Sequence, residues 1–127
     1  MHEFSTVKNI IDILLSEAKK NNASEIFSIR VSVGELTMLE KDQIEYWLDL
    51  MLKDIDITKN SEIKLYTVKG VIKCRECGYE GTLESTLGLE HLYPVIKCPK
   101  CNKNNIEIIK GNKCMVEEME IEKKSKL

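Results

Sequence analysis

Four of the five cysteines stand as two Cys-x-x-Cys pairs, Cys74/Cys77 and Cys98/Cys101, with twenty residues between them. No other feature restricts the fold so much. Each pair can close a tight turn that aims two sulfurs at one ion about 2.3 Å away, and two such turns complete a tetrahedron. Gly78 follows the first pair and supplies the backbone freedom such a turn needs. Four thiolates around Zn(II) leave no open coordination position, so the site is expected to be structural rather than catalytic. A rubredoxin-type iron site would use the same ligands, and a redox dithiol would need only one pair. An odd cysteine count, with no charged-then-apolar leader at the start, argues against a disulfide framework and for the cytoplasm.

The stretch that carries these pairs is short of apolar residues and rich in Gly, Pro, Lys and Cys. Its folding is therefore expected to depend on the metal. It is also the basic part of the chain. Residues 69–113 carry a net +3, residues 1–68 a net −4 and residues 114–127 a net −1. A filled four-thiolate zinc site lowers the +3 to about +1. That is too little to track phosphates, which weighs against the alternative of a nucleic-acid-binding zinc ribbon. No run of apolar residues is long enough to span a membrane.

The flanking sequence reads as regular structure. Phe4, Val7, Ile10, Ile11, Leu14, Leu15 and Ala18 recur at helical spacing, and Asn21-Asn22 end the helix. Phe27, Ile29, Val31 and Val33 alternate with polar residues as a half-buried strand closed by Gly34. Ile44, Trp47, Leu48, Met51, Leu52 and Ile55 give a second helix. Ile63, Leu65 and Thr67 give a second strand. A third strand contains Cys114, Val116, Met119 and Ile121. Its apolar phase slips by one residue, which predicts a bulge near Glu117-Glu118. Cys114 reads as a small buried hydrophobe. The expected fold is α/β: two helices on a small three-stranded sheet, with an inserted zinc-ribbon domain. Residues 1–69 plus 112–127 form one domain, and residues 70–111 form the ribbon.

The start of the chain, Met1-His2-Glu3, adds a second donor set. An imidazole at position 2 lies beside the terminal amine, with deprotonatable backbone amides between. Such nitrogen donors suit Ni(II) or Cu(II). Glu3 can orient the imidazole or favour the helix N-terminus.

Met1-His2-Glu3, the stretch Val33-Gly34-Glu35-Leu36, the four cysteines, and Lys110-Gly111 before a final strand resemble, in the same order, the HypA family of nickel-insertion accessory proteins for [NiFe]-hydrogenase. The resemblance implies a nickel metallochaperone without enzymatic activity. It implies a nickel site at Met1, His2 and Glu3, with terminal backbone nitrogens completing it, and structural zinc on Cys74, Cys77, Cys98 and Cys101. It further implies a HypB-type GTPase and the hydrogenase large subunit as partners, a homodimer, and no nucleic-acid or membrane partner. His91, in the long segment between the pairs, matches a second histidine that some archaeal members lend to nickel. Glu40 matches an acidic residue near the nickel site of some members, and it equally suits a helix N-terminus.

Overall fold

The computed structural model describes residues 3–83 and 97–125. Met1, His2 and His91 lie outside them. The described chain forms two compact units, each with its own three-stranded sheet.

The first unit comprises residues 1–33, 38–67 and 114–127. It contains helices α1 (Glu3–Lys20) and α2 (Lys41–Leu52). Its sheet consists of β1 (Ala23–Gly34), β2 (Glu62–Val68) and β6 (Cys114–Lys123), in the order β2-β1-β6. The apolar stripe of α1 supplies Val7, Ile10, Ile11, Leu14 and Ala18 to the core. Strand β1 supplies Ile26, Ile29 and Val31, and α2 supplies Ile44, Leu48 and Leu52. Two helices on one small sheet are as expected. Helix α1 stops at Asn22, whose φ of 55° is the left-handed conformation that commonly ends a helix.

Three register shifts interrupt the β1–β6 pairing, and two of them set which side chains reach the core. The pairing steps from Arg30–Glu118 to Val31–Val116, so Glu117 is the extra residue on β6. This is the bulge that the phase slip announced. A second irregularity lies between Ile26 and Ser28. It reverses the alternation at the start of β1, so Ile26 is fully buried while Phe27 is 45% exposed. The alternation expected through Phe27 therefore holds only from Ile29 to Val31, beyond which Ser32 is buried as well. Period-two patterns invert wherever an extra residue enters a strand.

The second unit comprises residues 34–37 and 68–113. Strands β3 (Val71–Cys74), β4 (Glu80–Thr82) and β5 (Ile106–Lys110) pair antiparallel in the order β4-β3-β5. Ile72 and Leu83 are its fully buried aliphatic residues among those described.

Candidate metal centre

Both cysteine pairs lie on turns of the second unit, and the turns share one construction. After Cys74 and Cys77, Gly78 adopts φ 79°, and after Cys98 and Cys101, Asn102 adopts φ 62°. The N–H of Gly78 donates to the Cys74 carbonyl at 3.1 Å, and that of Asn102 donates to the Cys98 carbonyl at 2.8 Å. Cys74 N–H reaches the Tyr79 carbonyl at 2.7 Å, and Cys98 N–H reaches the Lys103 carbonyl at 2.9 Å. Left-handed backbone is needed at the same place in each turn. The first turn meets it with Gly and the second with Asn, the side chain that best tolerates it. Asn102 was the readable counterpart of Gly78 and was missed.

The turns bring all four sulfurs within 4.8 Å of one another. The Cys74–Cys101 and Cys77–Cys98 distances are both 3.6 Å. A sulfur tetrahedron with bonds of about 2.3 Å has edges of about 3.8 Å, so the cluster fits one zinc ion. These separations also exceed the ~2.05 Å of a disulfide. Backbone N–H groups face the sulfurs, from Cys77 to Cys74 Sγ at 3.5 Å and from Lys100 to Cys98 Sγ at 3.4 Å. Such donors stabilise the thiolate form.

The thiols respond unequally. The Cys77 N–H, above all, brings Cys74 down to about 6. At Cys101 the Lys103 N–H pulls downward, but desolvation and the other three sulfurs win and push it up to about 12. Negative charges this close oppose one another's ionisation, so four thiolates coexist here only around a cation. The four cysteines are thus positioned to hold zinc. The fifth, Cys114, is half-buried in β6, where burial raises its thiol pKa. That matches its reading as a hydrophobe.

A glycine clasp closes the base of this unit. Leu36 N–H donates to the Gly111 carbonyl at 2.7 Å, and Gly34 N–H donates to that of Lys113 at 2.8 Å. Gly70 N–H donates to Glu35 Oε1 at 3.1 Å. A Cβ on Gly111, whose φ is 89°, would stand 2.6 Å from Gly70 Cα, and a Cβ on Gly70 would stand 2.5 Å from Leu36 Cγ. Gly34-Glu35-Leu36, Gly70 and Gly111 are therefore parts of one contact. The division at residues 69 and 70 gave no sign that 34–37 pack with the ribbon.

Within the first unit, Glu3 is buried and its carboxylate accepts the Glu40 N–H at 3.1 Å. Residue 40 is the N-cap position of α2, and its side chain makes no cap hydrogen bond. Glu3 thus supplies, from another helix, the negative charge that a helix N-terminus favours. The terminal ammonium first, and the Glu40 N–H next, bring the Glu3 carboxyl down to about 2 despite burial. The structure joins Glu3 to Glu40 through the main chain of Glu40, whose own carboxylate is exposed.

Comparison with known proteins gives one consistent result. Residues 1–121 match the family model described as hydrogenase/urease nickel incorporation, metallochaperone, hypA. A hydrogenase maturation factor HypA from Methanothermobacter thermautotrophicus is 40% identical over 124 residues, covering 98% of this chain and 99% of the relative. Another, from Methanobrevibacter smithii, is 32% identical and covers 97% of each. The solution structure of the Ni metallochaperone HypA from Helicobacter pylori superposes with a TM-score of 0.70 over 98% of this chain and all of that one. At 22% identity it supports the fold.

Proposed function

Because the chain belongs to the HypA family of hydrogenase and urease nickel-incorporation metallochaperones, we propose that it binds its nickel at the start of α1, through the terminal amine of Met1, His2 and the Glu3 amide. The protein is a nickel metallochaperone of hydrogenase maturation, and its four-cysteine centre is suited to structural zinc. The observation that supports the terminal nickel site is the seating of Glu3. Its side chain is buried and hydrogen-bonded to the start of α2, so the helix is anchored from its first residue. A helix's first amides have no intrahelical acceptor, so a metal can take them without breaking the ladder. Glu40 serves this site by fixing Glu3. His91 supplies a further nitrogen to the same nickel.

The reading extends to partners. Nickel passes to the hydrogenase large subunit with a HypB-type GTPase acting alongside, in the cytoplasm. The chain pairs as a homodimer and catalyses no reaction itself. Nickel titration tests the core of the reading. Protein beginning at Met1 binds stoichiometric nickel. An N-terminal extension or His2→Ala abolishes that binding and leaves the zinc content unchanged. Undiminished nickel affinity in the extended protein would remove the terminal site. Equal affinity and identical absorption spectra for His91→Ala and wild type would remove His91 from it.

A further inference from the structure

Strand β6 is an edge. The order β2-β1-β6 leaves one side of it without a neighbouring strand among the described residues. Beside that edge runs an open groove of about 340 Å³, walled by α1 through Ile13, Leu14 and Glu17 and by β6 through Val116, Met119 and Ile121. The apolar core is unfinished here. Ile29 and Ile26 on the central strand are 1% and 0% exposed, Met119 and Ile121 opposite them are only half-buried, and Ile13 is 50% exposed. An additional strand along β6 would cover the three.

The charge of the edge specifies the occupant. Strand β6 carries Glu117, Glu118, Glu120 and Glu122 against a single Lys123. Glu117 accepts a hydrogen bond from Ser32, and Glu118 pairs with Arg30 at 3.1 Å. Among the described residues Glu120 and Glu122 have no ion-pair partner. Glu122 lies directly opposite Glu25 in the ladder, a like-charge pairing that costs stability. Alternation places Met119 and Ile121 toward the groove and Glu120 and Glu122 on the other face, while Glu117 and Glu118, at the bulge, help line the groove. A second copy of the chain pairing edge to edge would set these carboxylates against one another.

We propose that this edge and groove bind an extended segment of a partner protein by strand addition, a segment in which apolar residues alternate with Lys or Arg. Its main chain continues the ladder, its apolar side chains enter the groove against Ile13, Met119 and Ile121, and its basic ones meet Glu120 and Glu122. Strand addition draws affinity from main-chain hydrogen bonds and specificity from alternate side chains. The site shares no residue with either metal-binding motif, so the proposal does not rest on the nickel reading.

The test uses the full chain, isotopically labelled, and a capped Lys-Val-Lys-Ile-Lys-Val-Lys peptide. Binding should shift the amide resonances of Ile13, Leu14, Val116, Met119 and Ile121. Ile13→Asp, a change at an exposed position, and the double variant Glu120→Lys/Glu122→Lys should each weaken binding by about tenfold or more, a loss of ~1.4 kcal/mol. Unchanged zinc content and melting temperature would show that both variants are folded. A peptide with its central Ile replaced by Pro keeps the charge but cannot complete the ladder, and it should bind about tenfold more weakly. Equal binding of the Pro peptide would reduce the effect to charge attraction and overturn the proposal. So would shifts confined to other residues, no binding at all, or self-association of the chain through β6.

Discussion

Removing one zinc ligand should unfold the ribbon and spare the helical unit. Cys98 is the ligand to change, because it is 1% exposed and shares its turn with Cys101. Among the described residues the aliphatic core of the second unit is Ile72 and Leu83. Full burial of two such side chains contributes roughly 3–6 kcal/mol together. A structural zinc in a small metallodomain contributes about 10–16 kcal/mol. The metal term is thus about two to five times the aliphatic one, and the aliphatic term alone cannot offset the entropy of ordering the chain. Among the described residues the first unit has a twelve-residue cluster of buried side chains that contains no cysteine. Cys98→Ala, or chelation of the wild type, should therefore bring amide exchange in β3 and β5 to unfolded rates. The amides of α1 and the centre of β1 should stay protected. Hydrogen exchange read by mass spectrometry separates the two. Persistent protection of Val71–Cys74 and Ile106–Lys110 in metal-free protein would refute the reasoning, because the ribbon would then be held by packing alone.

Acidification should release zinc, because protons compete for thiolates. Cys101, pushed up to about 12, is the thiolate most dependent on the cation, and metal content measured across a falling pH series should decline. Gly111→Ala should lower the melting temperature of the ribbon unit by the equivalent of about 1–3 kcal/mol, since its left-handed φ of 89° and its approach to Gly70 both exclude a side chain. Asn102→Gly should leave that unit's stability nearly unchanged, whereas Asn102→Val should cost ~1 kcal/mol or more in thermal unfolding.

What could be read from the sequence was whatever repeats. Helical spacing in α1 and α2 and the phase slip in β6 are local patterns, and each has its counterpart in the structure. The ribbon strands were not legible. They are three to five residues long and charged, and the zinc turns, rather than an apolar stripe, define them. The bulge near Phe27 escaped because Ile26 and Phe27 are both apolar, and only pairing with β6 decides which is buried. The contact between Glu3 and the Glu40 amide spans thirty-seven positions and has no periodic signature. The same holds for the convergence of Gly34, Gly70 and Gly111. The sequence marks these glycines only as turns, while their close approach is a property of the assembled unit.

That long-range contact separates two roles for Glu3 in nickel binding. A carboxylate that serves the Glu40 N–H and stabilises the start of α2 is engaged in structure. The other donor at this residue is its backbone nitrogen. The two roles predict different outcomes for three substitutions. Glu3→Gln keeps an acceptor for Glu40 and the backbone N–H, so nickel affinity should be preserved. Glu3→Ala removes the acceptor and should cost ~1 kcal/mol of stability, the size of a lost cap, while nickel still binds. Glu3→Pro removes the N–H at the first position of the helix, where proline is tolerated because that group has no intrahelical acceptor. It should fold about as well as Glu3→Ala and yet lose nickel. Calorimetric nickel titration beside thermal unfolding of the three variants distinguishes the roles. If Glu3→Pro binds nickel as tightly as Glu3→Ala, the backbone nitrogen is not a ligand. If Glu3→Gln and Glu3→Ala both lose nickel at full stability, the ligand is the carboxylate.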